Sequence, residues 1–478
     1  TVTSTDLITG DPQLTALDMN LEPTTDPTKV YVYGLEPGSS ALDAGLPVGT
    51  EINGVKVPDK DQLGKTRPHV GVDIGAFEKP CSAMSTQAAT RYYVTQDGAG
   101  DEDGSSWANA GKNLKGVMEA ANAGDEIWVA AGTYSPGADT DDTFLLKAGV
   151  RVYGGFAGTE TDLDQRNWID NKTTLHGGGV NYHVVTGGDG AASDNTRLDV
   201  FTVTGGNANG GNEDSIGGGM YNMFNSSPTV ANCVFSENRA QDGGGGMFNY
   251  NSSPVVENCA FSGNEVSKYG GGMVNAGSSP TVANCTFSGN KTAERGGGMF
   301  NSQSSPKVEN CSFSGNEAGY EGGGMFNDND SSPTVANCTF SGNTAERGGG
   351  MNNCVSSPTV ANCTFSENTS RGDGYDDGGG GMYNKSSSPT VVNCTFSENK
   401  AMTKNGRGMK NGGGMFNESS SPTVESCTFS GNGAGTGGGM YNNGSSSSPT
   451  VANCTFSGNM AATGGGMEND YESSPTVK

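Results

Sequence analysis

Eleven cysteines are the residues of this chain most capable of chemistry, and nine of them share one address. Cys233, Cys259, Cys285, Cys311, Cys338, Cys363, Cys394, Cys427 and Cys454 each occupy the same place in a recurring phrase, N-C-x-F-S-x-N, with Ser426 once replacing the first Asn. Thiols can cross-link, ligate zinc or attack a substrate. No C-x-x-C pair occurs, which argues against zinc. If the phrase stacks on itself, neighbouring Cys fall about 4.8 Å apart, close enough for a disulfide in Cα separation. Side chains stacked in register point the same way, however, and a disulfide needs a crossed dihedral. A thiol is also a small, well-buried hydrophobe. The expectation is a column of free buried thiols, with disulfides as the open alternative. Cys81 and Cys354 fall off the column, Cys354 at a surface turn.

Other chemistry is sparse. The three histidines, His69, His176 and His183, precede the repeats, and no G-x-S-x-G motif occurs. Clustered acids could hold a hard cation: Asp97, Asp101 and Asp103 share one Gly-rich loop, and Asp373, Asp376 and Asp377 share a long insertion. No cofactor is expected; calcium is the possible exception, against a solvated acidic loop.

These residues must be positioned by the repeat itself. G-G-G-M-x-N recurs with Met at 220, 247, 273, 299, 325, 351, 382, 415, 440 and 467. A fixed period near 26 residues means a solenoid or closed array. It is too short for a propeller blade, which needs about 40 residues. Three Gly and a Pro per unit exclude helices, and the scarcity of Leu excludes leucine-rich repeats. Three short strands per coil fit. Met220, Met247 and Met273, Val230, Cys233, Cys259 and Cys285, and Phe235, Phe261 and Phe287 then face inward by period-2 alternation and stack as ladders. The fold expected is all-β, a parallel β-helix. Only 32% of residues are apolar, against roughly 45–50% in ordinary domains, but a thin inner column needs no more.

Asn232, Asn258 and Asn284 open the N-C phrase and Asn238, Asn264 and Asn290 end the F-S-x-N element; both sets are read as corner ladders, because Asn tolerates left-handed turns and its amide can bond its counterpart one coil away. The position after Met is aromatic in seven of ten coils: Tyr221, Phe248, Phe300, Phe326, Tyr383, Phe416 and Tyr441. If Met points in, these point out. They form either an interaction strip or a layer covered by the variable gap. The formal charge of −25 disfavours nucleic acid, and no run of 18 apolar residues exists to insert in a membrane.

Upstream, Leu114, Val117, Met118 and Ala121 lie at i, i+3, i+4 and i+7, predicting a short helix that caps the first coil. Asp103-Gly-Ser-Ser-Trp-Ala-Asn, Gly124-Asp-Glu-Ile-Trp-Val-Ala-Ala-Gly-Thr-Tyr and Gly149-Val-Arg-Val-Tyr-Gly-Gly-Phe resemble a bacterial family of secreted, right-handed parallel β-helix proteins. The G-G-G-M and F-S-x-N phrases resemble the polymorphic outer-membrane-protein repeat of surface adhesins and autotransporters, with Met in the usual aliphatic place. Ile8-Thr-Gly-Asp-Pro, Pro37-Gly-Ser-Ser and Asp73-Ile-Gly-Ala-Phe-Glu resemble the segment that closes the C-terminal end of such helices, here placed first.

The organisation read from this is a β-rich closing or donor segment at 1–80, a linker and capping helix at 81–125, irregular first coils at 126–216 and ten regular coils at 217–478. The resemblance implies an extracellular, cell-surface location. The function expected is structural and non-enzymatic: head-to-tail assembly into a filament, residues 1–80 completing the last coil of a neighbouring copy. The alternatives are a glycan-binding adhesin and a polysaccharide lyase or hydrolase on the same fold.

Overall fold

A computed structural model describes residues 14–16, 33–35, 51–52, 55–56, 89–188, 195–374, 377–406 and 408–478. The chain divides into two units, Thr1–Ala89 and Thr90–Lys478. In the first, Leu14–Ala16 pairs antiparallel with Tyr33–Leu35, and Glu51–Ile52 with Val55–Lys56. The rest of the expected closing segment lies outside the described residues.

The second unit is a right-handed parallel β-solenoid with almost no helix. One regular coil runs Met273–Ala276, Thr281–Ala283, Thr286–Ser288 and Lys291–Thr292 before the next Gly turn. Like residues pair coil to coil: Met273 with Met299, Val282 with Val308, Phe287 with Phe313. Three long sheets result, of 12, 14 and 12 strands, named below for their inward Met, Val and Phe. A fourth sheet of eight very short strands joins them. Coils in that region thus have four strands, not the three expected. The fourth is two or three residues long, as in Arg239–Ala240, and too short to show a period.

Each Gly of the triplet has its own cause. Gly270 has φ +62°, a left-handed turn that L side chains rarely adopt. A Cβ on Gly271 would lie 2.6 Å from the Gly297 carbonyl oxygen of the next coil, and one on Gly272 2.5 Å from that of Gly298. The second and third glycines let adjacent coils approach. At the opposite corner Asn284 takes φ +55°, turning the chain between the Val and Phe strands.

Met, Val, Cys and Phe form one continuous buried column, as expected. Its Phe rings stack with centroids 4.7 Å apart and planes within 3° at Phe261–Phe287 and Phe287–Phe313. Each such side chain contributes roughly 1.5–3 kcal/mol by leaving water. The helix Leu114–Ala120 buries Leu114 and Met118 into the same column and is capped by the Asn113 side chain, which accepts from the Gly116 N–H. The solenoid starts earlier than expected. Arg91–Val94, inside the presumed linker, pairs parallel with Glu126–Val129, so the helix is an excursion after the first strand.

Candidate functional site

The thiol column is shielded from solvent along most of its length. Cys285 donates its backbone N–H to the Cys311 sulfur at 3.4 Å, and its own sulfur contacts the Ala283 carbonyl at 3.1 Å. All described cysteines are free. Burial pushes the Cys259 thiol well above its usual range and raises Cys354 and Cys454, whereas hydrogen bonds from neighbouring thiols lower Cys285, Cys338 and Cys394. The thiols from Cys233 to Cys427 in the column are 2% exposed or less, which closes them to a substrate.

Two Asn ladders run through the interior. Asn238, Asn264 and Asn290 each donate a side-chain N–H to the next residue's Oδ1, at 3.2, 2.9 and 3.0 Å. A second ladder was missed in the sequence: Asn222, Asn249, Asn275, Asn301 and Asn327, linked at 2.8–2.9 Å. The signal was present, because Asn222 lies two residues after the inward Met220. The corner residues Asn232, Asn258 and Asn284 differ from expectation. They adopt the left-handed turn, but Asn258 and Asn284 are exposed and Asn232 half-buried, bonded to Asp199 at 2.8 Å. A contact between counterparts appears at Asn362–Asn337, 3.2 Å. They make turns and do not form the interior ladder.

The aromatic strip is not an exposed surface. Tyr221, Phe300, Phe326, Tyr383, Phe416 and Tyr441 are buried, and Phe248 is half-buried. They do point away from the main column, as alternation requires. The turn before each Gly triplet folds over them: Tyr269 lies 4.9 Å from Phe300, and the Arg295 guanidinium 5.4 Å from the Phe326 centroid. The result is two satellite cores, Val274–Phe300–Phe326 and Tyr383–Phe416–Tyr441. Buried Asn352 separates them.

Members of both acidic clusters are engaged within the protein. Asp103 accepts from the Ser105 N–H at 2.8 Å. Asp377, 3% exposed, pairs with Arg347 at 2.7 Å, and Arg347 reaches Glu321 at 3.2 Å. Asp376 lies outside the described residues, and among those described no group of three or more metal-ligating side chains converges. His183 is held against the Gly217 carbonyl at 3.1 Å and its pKa is lowered by burial; His176 accepts from the Gly178 N–H.

Two surface features remain. Along the short fourth sheet, Arg239, Glu265, Lys291 and Glu317 alternate in sign from coil to coil, with ion pairs at 3.5 and 3.6 Å. They edge an open groove of ≈ 820 Å³. The second feature is the last coil. Phe456, Met467 and Cys454 hold ladder positions that are buried in the preceding regular coils, yet here they are half-buried, and Met460 and Val477 are 69% and 68% exposed. Strands Thr455–Ser457, Met467–Asp470 and Thr476–Val477 are the terminal strands of the three long sheets.

Residues 193–340 and 300–478 match the family described as right handed beta helix region. The matches span more than half of the chain, which belongs to that family. No curated protein matches it. Among solved structures, the chain is similar to the A-module of the Azotobacter vinelandii mannuronan C-5 epimerase AlgE4, at 13% identity and TM-score 0.38, covering 81% of this chain and 100% of that one. Pectate lyase Pel9A is similar at 13% identity and TM-score 0.32, covering 79% and 77%. Tailspike protein 3 of bacteriophage CBA120 is similar at 13% identity and TM-score 0.31, covering 81% and 61%. At this identity and superposition, what those proteins act on does not transfer to this chain. Among the described residues no helix is long and apolar enough to cross a membrane.

Proposed function

We propose that the protein is an extracellular, non-catalytic structural rod that extends end to end, the last coil accepting a further layer from residues 1–80 of a second copy. The observation that carries this reading is the single apolar column of Met, Val, Cys and Phe, stacked in register from coil to coil so that a further layer can continue it. Strands that pair parallel, edge to edge, from coil to coil favour strand addition. The contact would be heterologous, and a non-closing rotation gives a filament. The resemblance of 1–80 to a closing segment supports its role as donor. The likeness of G-G-G-M and F-S-x-N to surface-adhesin repeats supports the location, and the near-unchanged ladders over ten coils support a mechanical role over a catalytic one. Deleting residues 1–80 tests the reading by light scattering and negative-stain imaging. Monomers with an aggregation-prone end are expected; regular filaments from the truncated chain would refute it.

A second reading, a glycan-binding adhesin, is favoured by the groove beside Arg239, Glu265, Lys291 and Glu317. A glycan array together with a lyase assay distinguishes it, and a polysaccharide-active enzyme, from the rod.

A further inference from the structure

The outer surface of the Phe sheet differs from every other face. In seven successive strands, from Thr286–Ser288 to Thr455–Ser457, both outward residues carry a hydroxyl. Thr339 and Ser341, Thr364 and Ser366, and Thr395 and Ser397 stand in register, rung on rung. Not one of these outward positions is charged, in a chain carrying 27 basic and 52 acidic residues. The side chains are half-buried to exposed. Among the described residues, none of these hydroxyls has a hydrogen-bond partner in the protein. That separates them from the serines of the neighbouring turn, such as Ser278, whose hydroxyl bonds both the Ser252 N–H and the Ala276 carbonyl.

Geometry turns these hydroxyls into a lattice. The Phe rings on the inner side of the same strands repeat every 4.7 Å, with planes within 4° from Phe287 to Phe429. Ordinary sheets rotate by roughly 20–25° per strand; this one is nearly flat. The two hydroxyl ranks are two residues apart along each strand, about 6.6 Å. The face therefore presents a rigid plane of paired donors and acceptors at fixed spacing, and its rung repeat lies close to the a-axis repeat of hexagonal ice.

We propose that this face binds ice. Water bonded to neighbouring hydroxyls in such an array is held at crystal-like intervals, and a preformed lattice loses little entropy on joining a crystal. Charged groups would orient water radially about themselves, and they are excluded here. A polysaccharide surface is a poorer fit, because sugar recognition draws on exposed aromatic rings and charged or amide forks, and the two outward ranks carry none. Each hydroxyl contributes weakly, so binding depends on the length and regularity of the array.

The test uses the full chain and Thr364→Tyr/Thr395→Tyr, which replaces outward side chains in mid-array, with Lys291→Tyr on the short fourth sheet as control. Partition into growing ice and the faceting of single crystals are measured, and circular dichroism checks the fold. The wild type and K291Y are expected to enter the ice and facet it, and T364Y/T395Y to fall to background with an unchanged spectrum. A wild type left in the liquid, or a double variant that partitions as the wild type does, overturns the proposal. So does co-pelleting with crystalline cellulose in place of ice, or side-by-side pairing of copies that the double variant abolishes.

Discussion

Phe396 lies on Phe365 with ring centroids 4.7 Å apart and planes 4° apart, although extra residues enter the chain between them just after Thr369–Arg371. The same geometry holds for Phe340 on Phe365, where no insertion intervenes. Extra residues are thus expelled into turns, and the column keeps its step. Phe365→Ala should then remove ring contacts on both sides and cost about 3–5 kcal/mol. Because each coil touches mainly its neighbours, the loss should centre on the adjacent coils. Hydrogen exchange should show amides around Phe340 and Phe396 opening first, with the first coils unchanged.

The interior Asn ladder makes a different demand. Asn275 donates to Asn301, and Asn301 to Asn327, each at 2.8 Å in fully buried surroundings. Asn301→Leu leaves the Asn275 amide donor and the Asn327 carbonyl without partners. A cost of about 1–3 kcal/mol per orphaned group is expected. Chemical denaturation should show Asn301→Leu to be more damaging than Asn258→Leu, whose parent side chain is an exposed turn residue.

Thiol reactivity follows burial. Cys354 and Cys454 are half-buried while Cys259, Cys285 and Cys311 are 2% exposed or less. Under native conditions an aromatic disulfide reagent should modify Cys354 and Cys454 among the described cysteines, with the column appearing only on unfolding. Peptide mapping of the labelled protein checks this.

Much of the interior was legible because alternation is a strong signal. Met220, Val230, Cys233 and Phe235 face inward as period 2 requires. The same rule places Asn222 inward beside Met220, but a polar residue is not read as core until its ladder partner one coil away is visible. Tyr221 shows the complementary limit. Alternation sets the side of the strand it leaves from, and burial by Tyr269-type turn residues is a tertiary event with no local period. The fourth strand escaped for want of length, and the first strand, Arg91–Val94, because it stands apart from the repeats.

Glu160 provides a pH test. Burial alone would raise its pKa, but the backbone N–H groups of Ala157, Thr159 and Gly158, at 2.6, 2.9 and 3.0 Å, outweigh it and hold the carboxyl below the usual range. A lowered folded-state pKa gives stability that is complete above the unfolded-state value and is lost as pH falls through the folded one. Glu160→Gln should therefore melt below the wild type at neutral pH, and the gap should close in acid beneath the ordinary Glu range. Thermal melts across that series measure it.

The rod account is tested most directly by sedimentation velocity of the full chain over a wide concentration range, with Phe456→Glu alongside. A growing series of species that elongate with concentration is the predicted result. Phe456→Glu places a charge on the last rung of the column and should remain a folded monomer throughout. A wild-type chain that stays monomeric at the highest concentration, or a Phe456→Glu chain that elongates equally, contradicts end-to-end extension.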